Sequence, residues 1–267
     1  MRTVKLITTL DRMPNYLLDY WIRHHLKYFN SNELMFSINL IDPIELQCQL
    51  FNRYNIEADI ITDIAEINTS NKCVIFKHPY SNIKKYSYFI DYSSELANYI
   101  QNNLIQLYDV VIWLDMDELL YHTNLRNVIN TFTEHVIRPE GIEIVQHTDE
   151  LPLNTSIPLH LQRSYIHYMS SKRKPILTRT PVQWIPGRHS IPSLGLPHGE
   201  LISSDDCYPG LYIVHLDKID IDRLKKLRED NFKIYSDFNV NFKFDNWIQE
   251  CRDNLIDGNW IINKISN

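Results

Sequence analysis

Hydrophobic positions cluster in short strand-like runs separated by amphipathic segments. The first run, Val4 to Leu10, predicts a strand. Asp11-Arg12-Met13-Pro14 follows, and Pro14 suits the first turn of a helix, where a missing N–H costs nothing. Leu18, Trp21, Ile22, His25, Leu26 and Phe29 then keep helical spacing. Met35 to Ile41 predicts a second strand, ending at Asp42-Pro43. A helix is expected from Ile44 to Tyr54 and a short third strand from Ala58 to Ile61. Residues 68–92 show no clear period. Beyond them, Ser93 or Ser94 is placed to cap a helix running to Leu107, with Leu96, Ile100, Leu104 and Leu107 on one face. Alternation of strand and helix argues for a parallel sheet with right-handed crossovers.

The next run organises the chain. Val110 to Leu114 is apolar without a break, as in a strand buried on both faces. It stops at Asp115-Met116-Asp117-Glu118. Ligands of parallel sheets bind outside the carboxyl ends of strands. A strand puts residues i and i+2 on the same side, so Asp115 and Asp117 can both face one ion. Hard oxygen ligands suit Mg²⁺ or Mn²⁺, which keep positions open for phosphates.

Further on, Leu125 to Val136 predicts a helix and Gly141 to Gln146 a strand, followed by His147-Thr148-Asp149-Glu150. Residues 151–210 carry many prolines and read as loops that shape a site. Leu211 to Leu216 is a strand. Helices from Ile221 to Arg228 and from Asn246 to Ile256 close the chain, the second stopped near Gly258.

Composition narrows the classes. With 267 residues and 44% hydrophobic content, the chain can bury one large α/β core. Its net charge of -6 excludes a global basic footprint, which argues against a dedicated nucleic-acid binder. Cys48, Cys73, Cys207 and Cys251 form no CxxC and read as reduced thiols. No apolar run has the length of a membrane span, and the N-terminus enters a strand directly, so a cytoplasmic protein without a signal peptide is expected. Oligomeric state is not legible.

The βαβαβ half, followed by an apolar strand ending in Asp115-Met116-Asp117-Glu118, resembles a GT-A glycosyltransferase with its DxD motif. The opening, Asp11-Arg12-Met13-Pro14 through Trp21-Ile22-Arg23-His24-His25, resembles that of family-2-like and family-92-like enzymes, with Asp11-Arg12 in place of an Asn-Glu pair. The resemblance covers residues 1–120 well and 140–216 loosely. It implies a single GT-A type, Rossmann-like α/β domain over 1–267: a mostly parallel sheet flanked by helices. Its nucleotide-binding half would be 1–120, an acceptor and metal-completing half 121–216, and C-terminal helices 217–267.

The resemblance further implies a donor nucleotide-diphosphate sugar, UDP-sugar favoured, and a glycan or other hydroxyl acceptor. Mn²⁺ or Mg²⁺ would bridge the diphosphate. Asp117 would be the direct metal ligand, and Asp115 would bind the ion, the ribose or both. Glu118 would orient the site or cap a helix. A late His would complete the metal site: His189 first, His215 second. An inverting enzyme needs a base for the acceptor hydroxyl, with Asp149 and Glu150 as candidates. Thr8, Thr9, Asp11 and Asp42 are placed to contact the base or ribose. Arg188, before Lys172, Arg173, Lys174 and Arg179, is the preferred diphosphate clamp.

Two other readings fit parts of the pattern. Haloacid-dehalogenase-type Mg²⁺ phosphatases also carry Asp-x-Asp after an apolar strand, but on the first strand and without Glu at the position of Glu118. A non-catalytic nucleotide-sugar or glycan-binding module would suit the 12% aromatic content.

Overall fold

A computed structural model describes residues 1–10, 15–39, 45–67, 72–78, 87–169, 174–184, 207–226 and 244–266. The fold is α/β, with a mostly parallel sheet flanked by helices. The first sheet contains β1 (Val4–Leu10), β2 (Leu34–Asn39), β3 (Ala58–Ile61), β4 (Cys73–His78), β5 (Val110–Leu114), β7 (Val136–Ile137) and β10 (Leu177–Thr178), in the order β3-β4-β2-β1-β5-β10-β7. β3, β4, β2, β1 and β5 are parallel to one another, and β10 runs antiparallel to both β5 and β7. The second sheet contains β6 (Glu118–Tyr121), β8 (Glu140–Ile144), β9 (Tyr165–Tyr168), β11 (Tyr212–His215) and β12 (Ile256–Asp257), in the order β12-β9-β8-β11-β6.

The unbroken apolar runs follow from burial on both faces. On β5, Val110, Ile112 and Leu114 join one core, while Val111 and Trp113 join another. β1 divides likewise, with Val4, Leu6 and Leu10 in the first core and Ile7 in the second. Helix α1 (Asn15–His25) covers the first face through Leu17, Leu18, Trp21 and Ile22. Helix α2 (Glu45–Arg53) contributes Leu50 and Phe51 to the same face. Helix α3 (Ser87–Leu104) covers the other with Leu96, Ala97, Ile100 and Leu104. The first core continues into the second sheet through Leu119, Leu120, Ile142, Ile213 and Val214. At roughly 25 cal/mol per Å² of apolar area, this shared core is what holds the two sheets together.

Several boundaries differ from the sequence reading. β4 lies inside the stretch that showed no period; CVIFKH is apolar on both faces and too short for periodicity to reveal. α3 is already helical at Ser87, so Ser93 and Ser94 are interior and not caps. Leu107 lies beyond that helix and is 51% exposed. Helix α4 (Leu125–Thr131) ends before Val136, because Val136 and Ile137 add an edge strand to the first sheet. The loop-rich region supplies β9 and β10. At the end, α5 (Phe244–Asp253) stops before β12, and α6 (Asn259–Ser266) follows Gly258. Gly258 therefore opens a helix: its carbonyl accepts from Ile261 and Ile262. Among the described residues no helix is long and apolar enough to cross a membrane.

Candidate metal and nucleotide site

β1 pairs with β2 on one side and β5 on the other, so the strand order reverses at β1. A crevice opens at the carboxyl ends of strands at such a switch point. Thr8 stands in register with Leu114, the last residue of β5, and Asp115 follows directly.

Residues 115–118 form a tight turn rather than a continued strand. Glu118 N–H donates to the Asp115 carbonyl at 3.0 Å, and Asp115 N–H donates to Glu118 Oε2 at 2.8 Å. The turn carries the chain from the first sheet to β6 in the second. β11 runs antiparallel to β6, with His215 opposite Glu118, and Leu216 N–H donates to the Asp117 carbonyl at 2.8 Å. Asp117 is thereby brought to the end of β11. One ligand atom each of Asp117, His215 and Asp217 lies within 4.8 Å of the others.

Charge is crowded here. Lys174 Nζ lies 2.5 Å from Asp115 Oδ2 and also bonds buried Glu118. Glu118 Oε1 lies 3.3 Å from His215 Nε2. Burial, followed by the negative charges of Asp217, Glu118 and Asp115, pushes Asp117 up to about 8, against the pull of Lys174. Burial and Asp115 also raise Glu118, again against Lys174. Asp217 Oδ1 is buried and makes no hydrogen bond. A divalent cation would fit all three observations: it would supply positive charge, be ligated by the bare oxygen and suit a donor set of two carboxylates and one imidazole.

The structure sorts the expected residues. His215, second in the sequence reading, stands beside Asp117. Asp115 is held by Lys174 and is not one of the three converging ligands, because a turn does not obey the two-residue period of a strand. Glu118 begins β6 and caps no helix; it joins Lys174, His215 and the turn. Thr8 is fully buried, whereas Thr9 is half-buried at the strand end. Glu150 accepts N–H bonds from His147 and Ser164, both at 2.8 Å, and lies 3.9 Å from buried Arg163. Asp149 is exposed in the same turn. Arg179 donates to the carbonyls of Phe132 and Thr133. Asp11, Asp42, Arg188 and His189 lie outside the described residues.

Asp217 and the role of Lys174 were missed. A signal was present for the first: β11 ends in His215-Leu216-Asp217, the same spacing of ligand types that closes β5. Lys174 gave none, since a lysine in a basic run looks solvated.

No known family profile matches the chain, and no curated protein matches it. Among solved structures, the bifunctional glycosyltransferase WbbM, in its apo structure, aligns at a TM-score of 0.31 and 15% identity. The alignment covers 55% of this chain and 23% of that one, so the chain spans less than a quarter of that protein's length. At that score the likeness carries no argument.

Proposed function

We propose that the protein is a metal-dependent glycosyltransferase that uses a nucleotide-diphosphate sugar, UDP-sugar favoured, and a hydroxyl acceptor. The observation that carries the reading is the convergence of Asp117, His215 and Asp217 beside the switch point of a parallel sheet. Asp117, His215 and Asp217 would hold Mn²⁺ or Mg²⁺. Such an ion would offset the charge that grows on the leaving phosphate.

The surrounding residues would divide the remaining work. Asp115, after β5, and Thr9, near the end of β1, would contact the ribose and base. Lys174 would hold Asp115 and Glu118 in place, and Glu118 would hold the His215 ring. For inverting transfer, Asp149 suits the base better than Glu150, whose carboxylate is committed to two backbone N–H groups. Asp11, Asp42, Arg188 and His189 remain part of the proposal as nucleotide, diphosphate and metal contacts.

The test is calorimetric titration of UDP and GDP, with and without Mn²⁺, on wild type and Asp117→Ala. Binding that needs Mn²⁺ in wild type and vanishes in the variant is expected. Nucleotide binding that ignores both the metal and the substitution would refute the reading.

A further inference from the structure

A second group of ligand-type side chains meets elsewhere on the second sheet. Glu143 of β8 and His167 of β9 are direct cross-strand partners. Such partners share a face, with Cβ atoms roughly 5 Å apart. α5 brings Cys251 to the pair, and one ligand atom each of Glu143, His167 and Cys251 lies within 4.8 Å of the others. Glu143 and Cys251 are buried, while half-buried His167 leaves a side open to solvent.

The chemistry of this cluster differs from that of the first. It contains a thiol, where Asp117, His215 and Asp217 offer only oxygen and nitrogen. His167 Nδ1 is buried and makes no hydrogen bond. Lys218 bonds Oε2 of Glu143. A carboxylate held in that way is oriented for ligation through its other oxygen, as outer partners of metal ligands commonly do.

We propose that Glu143, His167 and Cys251 form a zinc-type site that fastens α5 to the β8–β9 pair. A carboxylate, a thiolate and an imidazole make three protein ligands with a fourth position open. Thiolate sulfur selects zinc over the Mg²⁺ or Mn²⁺ suited to the other cluster. Tetrahedral zinc needs ligand atoms roughly 3.5 Å apart, and the three ligand atoms here all lie within 4.8 Å of one another. This site does not depend on the function proposed above.

Cobalt(II) is the probe, because a cobalt–thiolate bond gives a near-ultraviolet charge-transfer band. Wild type and Asp117→Ala should both show the band, and zinc should displace it. Cys251→Ser should lose the band, and His167→Ala should weaken cobalt binding at least tenfold. Circular dichroism checks that both variants fold. Should Cys251→Ser not fold, alkylation of Cys251 in wild type, read by peptide mapping, gives the same answer: zinc should slow it at least tenfold. Absence of the band in wild type, its persistence in folded Cys251→Ser, or alkylation indifferent to zinc would overturn the proposal.

Discussion

His25 Nε2 accepts the backbone N–H of Leu120 at 3.2 Å. Its neighbour His24 donates from Nε2 to the carbonyl of the same residue at 2.8 Å. β6 is the edge strand of the second sheet, and Leu120 lies within it. Two imidazoles on α1 thus take the place of a neighbouring strand. The His25 ring is fixed by its Nδ1–H, which donates to Trp21 O at 2.9 Å. The Trp-x-x-His-His pattern in this chain fastens α1 to the strand that begins just after Asp117.

His25→Ala should therefore destabilise the protein by about 2–4 kcal/mol, through the cavity and the orphaned N–H of Leu120. Denaturant unfolding of wild type and variant measures it. Weaker Mn²⁺ binding in the folded variant is expected too, because the turn 115–118 loses its support.

Both histidines also set an acid limit. Burial lowers His24 to about 4 and holds His25 well below the usual range. Their folded-state affinity for protons is below that of the unfolded chain, whose histidines titrate near 6.5. Stability from these neutral rings is complete above about pH 6.5 and is lost as pH falls toward 4. The expected loss from His24 is on the order of 3 kcal/mol. Chemical denaturation between pH 7.5 and about 4.5 should show it, and His24→Gln should flatten the slope.

Lys174 sits between Asp115 and Glu118. Lys174→Met would leave a buried carboxylate without its cation, which costs about 3–5 kcal/mol. Double substitution with Glu118→Gln should recover a large part of that loss. A thermal melt of the two variants and their combination reads the coupling.

Asp117, by contrast, is a charge the metal-free fold tolerates poorly. Asp117→Asn should raise stability in chelator by on the order of 1–3 kcal/mol at neutral pH. On the proposed metal site, Mn²⁺ should raise the melting temperature of wild type but not of the variant. A thermal-shift assay with chelator and with Mn²⁺ tests both halves.

A Cβ on Gly258 would stand 2.4 Å from Ile166 Cγ2. Gly258→Ala should cost about 1–3 kcal/mol through overpacking where β12 turns into α6. Gly258→Ala with Ile166→Val should recover part of it, read by denaturant midpoint.

The chain alone determined what depends on neighbours in sequence. The unbroken apolar run at Val110–Leu114 meant a strand buried on both faces, Val4–Leu10 also read as a strand, and the alternation with amphipathic segments meant a mostly parallel sheet. The same logic placed carboxylates at the end of β5. Tertiary structure decided the rest, because metal ligands are selected by distance in space. His215 and Asp217 reach Asp117 only because β11 pairs with β6 across nearly a hundred residues of chain. Lys174 reaches Asp115 only because β10 runs back along β5. Glu143, His167 and Cys251 come from two strands and a helix whose pairing no local pattern encodes.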